Sequence, residues 1–217
     1  MSSRFINGAR YAIATAVAAP VAISGISNAN PGVASTASPP ADGSVVILQS
    51  GWPDINEMVF RSAGQVAATS FQLEDYDTTD TDRYPPGEGG GTFMVASSFV
   101  SMSQVRDVTT DGGDQQYFEY QYVEDAGGRQ RRTPTYKNAM GFNIVLDYDP
   151  DLPWYDALVT ADRVKEPVVL RETLPNGDVI YYYGYISFNK VPSHTVNENM
   201  TVTASFSIQA DPMRYAA

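Results

Sequence analysis

One stretch constrains the fold of this chain more than any other, residues 174–209. It begins Leu174-Pro175-Asn176-Gly177-Asp178 and continues as an aromatic run over residues 179–188. It crosses through Asn189-Lys190-Val191-Pro192-Ser193 and closes in the alternating run 201–209. An Asn-Gly pair between two β-rich runs is the strongest short hairpin signal a sequence carries, because both residues tolerate the positive φ that tight turns need. Residues 168–174 and 179–188 are therefore predicted to be the arms of a hairpin, the second centred on Gly184. The closing run sets Val202, Ala204, Phe206 and Ile208 against Thr and Ser, the period-two signature of a half-buried strand. Successive strands joined this way commit the C-terminal third to antiparallel sheet.

The rest of the chain supplies further short strands. In residues 11–23, Ile13, Thr15 and Val17 alternate with Ala12, Ala14 and Ala16, so residues 11–26 are expected to form one or two strands bent at Pro20. With Arg4 and Arg10 in front and Ser27-Asn28-Ala29 behind, this run imitates a secretory signal peptide. Its Ala-rich, weakly hydrophobic composition, the interrupting Pro20 and the alternation argue for strand instead. It is also too polar and broken for a bilayer span, which needs ~20 apolar residues. Residues 28–43 are expected to be loop, 45–49 a strand, and 59–61 and 67–73 two strands joined near Gly64. Residues 74–91 form a long loop with five acids in nine residues (Glu74, Asp75, Asp77, Asp80, Asp82), then Pro85-Pro86-Gly87 and Gly89-Gly90-Gly91; loops of this length are usually functional or flexible.

Residues 93–100 read as strand. Asp111-Gly112-Gly113-Asp114 is a turn, residues 115–124 alternate, and Asp125-Ala126-Gly127-Gly128 turns the chain into a basic tip of Arg129, Arg131 and Arg132. Residues 111–133 are thus a projecting hairpin. Residues 142–148 alternate as a half-buried strand. One helix follows, with Asp151 as its cap and Pro153 in its first turn, where proline is tolerated. Trp154, Leu158, Ala161 and Val164 or Lys165 keep its 3.6-residue period, and Pro167 ends it. The expectation is roughly ten strands and one helix in a single domain spanning residues 1–217, with residues 1–10 as an arm and no tandem repeat.

The charge balance narrows function. Fourteen Lys and Arg against 25 Asp and Glu leave a formal charge of −11, opposite to what tight neutralisation of nucleic-acid phosphates requires. With no Cys and one His, disulfide frameworks, thiolate metal sites and histidine metal clusters are off the table. No cofactor is implied. Asp75-x-Asp77-x-Thr79 imitates the start of a calcium loop, but Asp80 stands where glycine is needed and Pro86 where glutamate is needed. Glu119 is the best single candidate for a hydrolytic carboxylate, yet no spacing marks a second one across a cleft. His194 sits in a polar crossover without triad partners. Residues 87–91 lack the Lys-Ser/Thr and the helix of a phosphate loop. Tyr181, Tyr183 and Tyr185 share one strand face and suit either a subunit interface or a stacking surface for sugars or bases. The Arg129, Arg131 and Arg132 tip suits an acidic surface on a neighbour.

Taken in order, these segments resemble the tail tube (major tail) proteins of long-tailed, siphovirus-type bacteriophages. The resemblance runs from the N-terminal strand with Thr15, through Ala22-Ile23-Ser24-Gly25-Ile26-Ser27-Asn28-Ala29 and Phe71-Gln72-Leu73-Glu74-Asp75-Tyr76-Asp77-Thr78-Thr79, to Gly91-Thr92-Phe93. It then continues from Phe142 through strand, helix, hairpin and final strand. It implies a mainly β fold, a tail-tube-type β-sandwich or barrel with one flanking helix and extended arm and loops. It implies a structural virion protein rather than an enzyme, assembled in the host cytoplasm. Hexameric rings would stack into an acidic-lumen conduit for DNA ejection, passing double-stranded DNA without binding it. The expected partners are further copies of the chain and the tail terminator, tape measure and tail-tip proteins, with no membrane. Contacts between subunits or rings are expected at Arg4, Arg10, Asp75, Asp77, Asp80, Asp82, Arg129, Arg131, Arg132, Tyr181, Tyr183 and Tyr185. The lumen-facing residues are not legible. The competing reading is a secreted β-sandwich that binds glycans through its Tyr-rich face.

Overall fold

The computed structural model describes residues 7–217, apart from the side chains of residues 65–67. The elements are β1 (Arg10–Val17), β2 (Val21–Ile23), β3 (Gly25–Ile26), β4 (Val33–Ser35), β5 (Val45–Ser50), a 3-10 turn (Pro53–Ile55), β6 (Val59–Ala67), β7 (Ser70–Leu73), β8 (Gly91–Met102), β9 (Val105–Gly112), β10 (Gln115–Tyr120) and β11 (Arg131–Lys137). They continue as β12 (Met140–Asp147), α1 (Pro153–Val164), β13 (Val168–Thr173), β14 (Val179–Asn189), β15 (Thr201–Ile208) and β16 (Met213–Tyr215). Twelve strands join in the order β3-β4-β7-β6-β5-β8-β1-β13-β14-β15-β12-β9, with β16 added on β14 and β2 on β8. β10 and β11 form a separate two-stranded sheet. Every pairing is antiparallel. The fold class is mainly β with one helix.

The alternation read from the sequence explains how the sheet is covered. Tyr11 and Ile13 of β1 join Leu170, Ile186, Phe188, Val202, Ala204, Phe206, Ile144 and Leu146 in a core that Trp154 and Leu158 of α1 close. The opposite faces of β1, β13 and β14 contribute Ala14, Val169, Tyr181 and Tyr183 to a second core with Val45, Ile47, Val59 and Tyr215. A third core gathers Trp52, Phe60, Phe71, Leu73, Tyr84 and Phe93. Burial on both faces is why residues 11–14 of β1 are uniformly buried, although the sequence alternates aliphatic and small residues. Gly184 is required where β14 crosses β15: a Cβ there would sit 2.0 Å from the Ser207 carbonyl oxygen.

Several boundaries differ from expectation. The 28–43 stretch contains β4, whose three residues are too few to show a period. β6 continues through Gly64 to Ala67, so the turn into β7 falls at residues 68–69. β9 and β16 were missed, and the strands number sixteen among the described residues. Asp151 does not cap α1; the N-cap is Leu152, without a side-chain cap bond, and the Asp151 N–H instead donates to Asp149 Oδ1 at 3.2 Å. Lys165 is the left-handed C-cap at φ 57°, its N–H donating to the Ala161 carbonyl, and Val164, the last residue of α1, is exposed. The Asn-Gly turn is a five-residue loop, with Gly177 at φ 92° and the Leu174 N–H donating to the Asp178 carbonyl at 2.8 Å. The projecting hairpin is shifted in sequence: its strands are β10 and β11, ending at Lys137.

Candidate functional site

β14, β15, β12 and β9 lie side by side with one face turned into the core and the other open. Paired residues in an antiparallel ladder share a face, so the register defines the rows of the open one. They run Tyr185–Ser207–Gly141–Asp111, Ser187–Ser205–Asn143–Thr109 and Asn189–Thr203–Val145–Asp107. Ser, Thr and Asn dominate, two carboxylates stand on the β9 side, and the three rows carry no Lys or Arg. At the margin, Arg106 is ion-paired with Asp147. Ser205 Oγ donates to Asn143 Oδ1 at 2.5 Å, linking neighbouring strands within the middle row.

β9 and β12 continue beyond this sheet as β10 and β11, so residues 105–147 make one long hairpin bent where it leaves the sheet. Gly112 and Gly113 make the bend, at φ 76° and 80°, a backbone region that L side chains rarely adopt. A Cβ on Gly112 would lie 1.9 Å from the Ala139 carbonyl oxygen. Beyond the bend every residue of β11 is exposed, and Phe118 is 63% exposed. Phe118 and Tyr120 stack at 6.1 Å between ring centroids, Tyr122 meets Tyr120 edge-on at 5.4 Å, and the Arg131 guanidinium lies 5.0 Å from the Tyr122 ring centre. Arg132 pairs with Glu119 at 2.7 Å and Arg129 is exposed. Glu119 also accepts from Gln130 Nε2 at 2.6 Å. It is a surface partner of the tip, on an exposed strand without a cleft.

The 74–90 loop is anchored, not flexible. Thr78, fully buried, donates its hydroxyl to the Ser27 carbonyl at 2.7 Å and accepts the Ala29 N–H at 3.2 Å. Asn28 Nδ2 donates to the Thr78 and Tyr84 carbonyls at 3.0 and 2.8 Å, and Trp52 Nε1 donates to the Pro85 carbonyl at 2.9 Å. Gly89 lies against the Trp52 ring so closely that a Cβ there would come within 2.9 Å. The acids point outward. Asp75, Asp77, Asp80 and Asp82 are exposed. The Thr79 hydroxyl and N–H donate to Asp77 and lower its pKa, and Asp80 accepts the Asp82 N–H at 3.1 Å. Glu74 is paired with Arg61. Among the described residues no group of His, Cys, Asp and Glu is arranged to hold a metal ion, and no helix is long and apolar enough to cross a membrane.

Of the remaining predicted contacts, Arg10 is exposed at the start of β1 and Arg4 lies outside the described residues. Tyr181 and Tyr183 share a face with Tyr185 as expected, but β5, β6 and β16 cover them: each is 5% exposed, against 44% for Tyr185. Burial pushes the Tyr183 hydroxyl up to about 12. Only Tyr185 is free to touch a neighbour, and the glycan-stacking alternative loses two of its three rings. His194 is exposed. The sequence did not reveal the buried Glu172, which accepts the Tyr11 and Tyr182 hydroxyls at 2.8 and 2.7 Å. Its neighbours on β1 and β14 are distant or unpatterned in sequence, so no local signal marks it.

The family comparison decides what these surfaces belong to. The profile described as "Phage tail tube protein, TTP" matches residues 50–217, well over half of the chain. The chain belongs to the phage tail tube protein family. This is a family of structural proteins of the virion tail, not of enzymes. The matched region contains the polar face, the bent hairpin, the 74–90 loop and α1, whereas β1 to β4 and most of β5 precede it. No curated protein matches the chain. Among solved structures, the chain resembles one from the tail of an empty gene transfer agent particle with C6 symmetry, at 10% identity and TM-score 0.44, covering 55% of this chain and 88% of that one. A chain from the native gene transfer agent virion gives 10% identity and TM-score 0.41, covering 54% and 89%. A tube-terminating cap of the anti-feeding prophage gives 13% identity and TM-score 0.34, covering 50% and 79%.

Proposed function

We propose that this tail tube protein closes as a single domain into hexameric rings. The rings stack into the tube of a long, siphovirus-type tail, and the open face of β14, β15, β12 and β9 forms the wall of the channel. The observation that carries this reading is the composition of that face. Three rows of hydroxyl and amide side chains with Asp107 and Asp111, and no cation among them, form a wetted surface with nothing to hold phosphates. Proteins that bind duplex DNA do so by neutralising phosphates with Lys and Arg and releasing counterions. A wall lacking them lets double-stranded DNA pass during ejection. Ring closure also gives β9 a neighbour. It is the last strand of the sheet order, and an unpaired edge otherwise invites uncontrolled association.

In this reading the acidic 74–91 loop, the projecting hairpin, Tyr185, Arg10 and the N-terminal arm with Arg4 supply contacts between subunits and rings. The tail terminator, tape measure and tail-tip proteins meet the tube at its ends and in its channel, and assembly takes place in the host cytoplasm. Electron microscopy of the concentrated protein tests the assembly: tubes or stacked rings with a channel wide enough for duplex DNA are expected. The wall is tested by Ser205→Lys combined with Thr109→Lys. Tubes should still form, while DNA release from virions built with the variant slows and regains speed as salt is raised. Unchanged release at every salt concentration would overturn the assignment of this face to the channel.

A further inference from the structure

The bent hairpin presents a surface that its own subunit leaves uncovered. Phe118, Tyr120, Tyr122 and Arg131 form a ladder of three rings ended by a guanidinium, on a two-stranded sheet separate from the main one and on the connection that follows β10. An isolated two-stranded hairpin is marginal in water, and aromatic residues and Arg are the side chains most enriched where proteins meet. Residues 129–132 also hold three of the fourteen Lys and Arg of this acidic chain.

A groove of about 470 Å³ lies between α1 and β1. Val17, Ala157, Val164 and Val168 line its apolar part, with Val17 42% and Val164 49% exposed, and Asp156 and Glu166 stand among the lining residues. Its size falls in the range that takes up compact apolar groups. The first described residues of the chain lie at the far end of β1 from it. Gly8 lies beside Pro175 in the β13–β14 turn, whereas the groove takes Ile13 to Val17, the other end of β1.

We propose that the hairpin of one subunit docks in the α1–β1 groove of a second copy. Its aromatic ladder covers the apolar floor, and Arg131 and Arg129 face Asp156 and Glu166. The match is one of opposite kinds: an uncovered aromatic surface with a basic tip meets an uncovered aliphatic groove with acidic walls. Such a contact uses two different patches, so it is head-to-tail and generates rings or stacks instead of closed pairs. The inference rests on the tube reading above and names the surfaces that join its subunits.

The natural absence of cysteine makes the test direct. Tyr122→Cys and Val164→Cys are introduced together and the assembled protein is oxidised. A ladder of covalent multimers on a non-reducing gel is expected, and Tyr122→Cys paired with Asn189→Cys should give none. Tubes that form without the Tyr122–Val164 cross-link would overturn the docking while leaving the tube reading intact. A cross-link of Ser3→Cys to Val164→Cys in its place would assign the groove to the N-terminal arm and likewise overturn it. Should the cysteine pair prevent assembly, Arg131→Glu replaces it. That change should raise the protein concentration needed for assembly about tenfold, the loss of one charge-assisted contact, and Glu166→Arg in the same chain should restore it. An Arg131→Glu protein that assembles normally, or that Glu166→Arg fails to rescue, overturns the docking. Wild-type protein that forms no ring or tube under any condition fails the tube reading itself.

Discussion

The Tyr215 hydroxyl accepts the backbone N–H of Arg61 at 2.8 Å across 154 residues of sequence, and the Arg61 guanidinium lies 4.6 Å from the centre of the same ring. Tyr215 is fully buried. Through it the last strand, β16, is locked between β14 and β6, and the core beneath Tyr181 is sealed. Tyr215→Phe removes the hydroxyl alone and should cost about 1 kcal/mol. Tyr215→Ala empties the site and should cost about 3–5 kcal/mol, as large-to-small aromatic substitutions do. Urea denaturation of the soluble subunit measures both. Equal effects from the two variants would show that the bond to Arg61, not ring packing, carries the contribution.

The tyrosines also set how the subunit responds to pH. Tyr11 and Tyr182 are held as neutral donors, first by burial and then by the Glu172 carboxylate that accepts both hydroxyls. Burial likewise raises Tyr215, and raises Tyr183 to about 12, from an ordinary value of 10.0. A group raised on folding contributes stability that is whole below its unfolded pKa and is lost as pH climbs toward its folded value. The melting temperature should therefore hold up to pH 10 and fall steeply above it. The ultraviolet tyrosinate signal should rise in two stages, exposed rings first and buried rings only on unfolding. At the acid end the sign reverses. Asp178 is held well below the carboxylate range by the Asn176 side chain and by Arg214, so its contribution is present above 3.8 and is lost as pH falls further. A single smooth tyrosinate titration centred at 10 would contradict the burial assigned to these rings.

Much of the fold was legible because its strongest periods coincide with its most buried elements. β12, α1, β13, β14 and β15 bury alternating or 3.6-spaced apolar residues, and each was placed within a few residues. β9 escaped because its sequence, Val-Arg-Asp-Val-Thr-Thr-Asp-Gly, has only two apolar residues. An edge strand with one open face needs little burial and leaves little pattern. β16 is three residues long, too short to show a period, and its place comes from pairing with β14, the Tyr215 ring and the Arg214–Asp178 ion pair. The candidate site was half visible: the Thr and Ser alternation of β15 marks an outward face. That β14, β12 and β9 extend the same polar surface is a matter of register, which no single strand encodes. Tyr181 and Tyr183, which share a strand face with Tyr185, are a different case. Their common face was read correctly, but its cover by β5, β6 and β16 comes from residues more than a hundred positions earlier and from the last strand.

The 74–90 loop looked flexible because of its Gly, Pro and acid content, and Thr78 is the buried residue that ties it to the 27–29 segment. Thr78→Val keeps the shape and removes the hydroxyl, leaving the Ser27 carbonyl and Ala29 N–H without that partner. The loss of satisfied buried groups should cost about 1–3 kcal/mol. Because Trp52 still holds the loop at Pro85 and Gly89, while Thr78 and Asn28 tie its earlier part to residues 27–29, the cost should be local. Limited trypsin digestion at Arg83, slow in the parent, should accelerate well before global unfolding is detectable. If cleavage at Arg83 is equally fast in both proteins, the loop is not anchored through Thr78.

Fold and assembly separate most cleanly at Gly112. Its φ of 76° and its position 1.9 Å, through a would-be Cβ, from the Ala139 carbonyl mean that Gly112→Ala cannot keep the present bend. A non-glycine residue in the left-handed region costs about 1–2 kcal/mol, and the backbone overlap must be relieved by moving β10 and β11. Neither strand contributes to any of the three cores. The subunit should therefore keep its circular dichroism spectrum and lose only a few degrees of melting temperature, while its ability to form tubes falls sharply. Gly113→Ala, where the nearest neighbour is the flexible Met140 side chain at 3.3 Å, shares the positive φ but lacks the backbone clash and should be milder. Comparing the two by electron microscopy and thermal melting in parallel isolates hairpin direction from backbone strain. Tubes from the Gly112→Ala protein as abundant as those of the parent would mean that the direction of this hairpin plays no part in assembly.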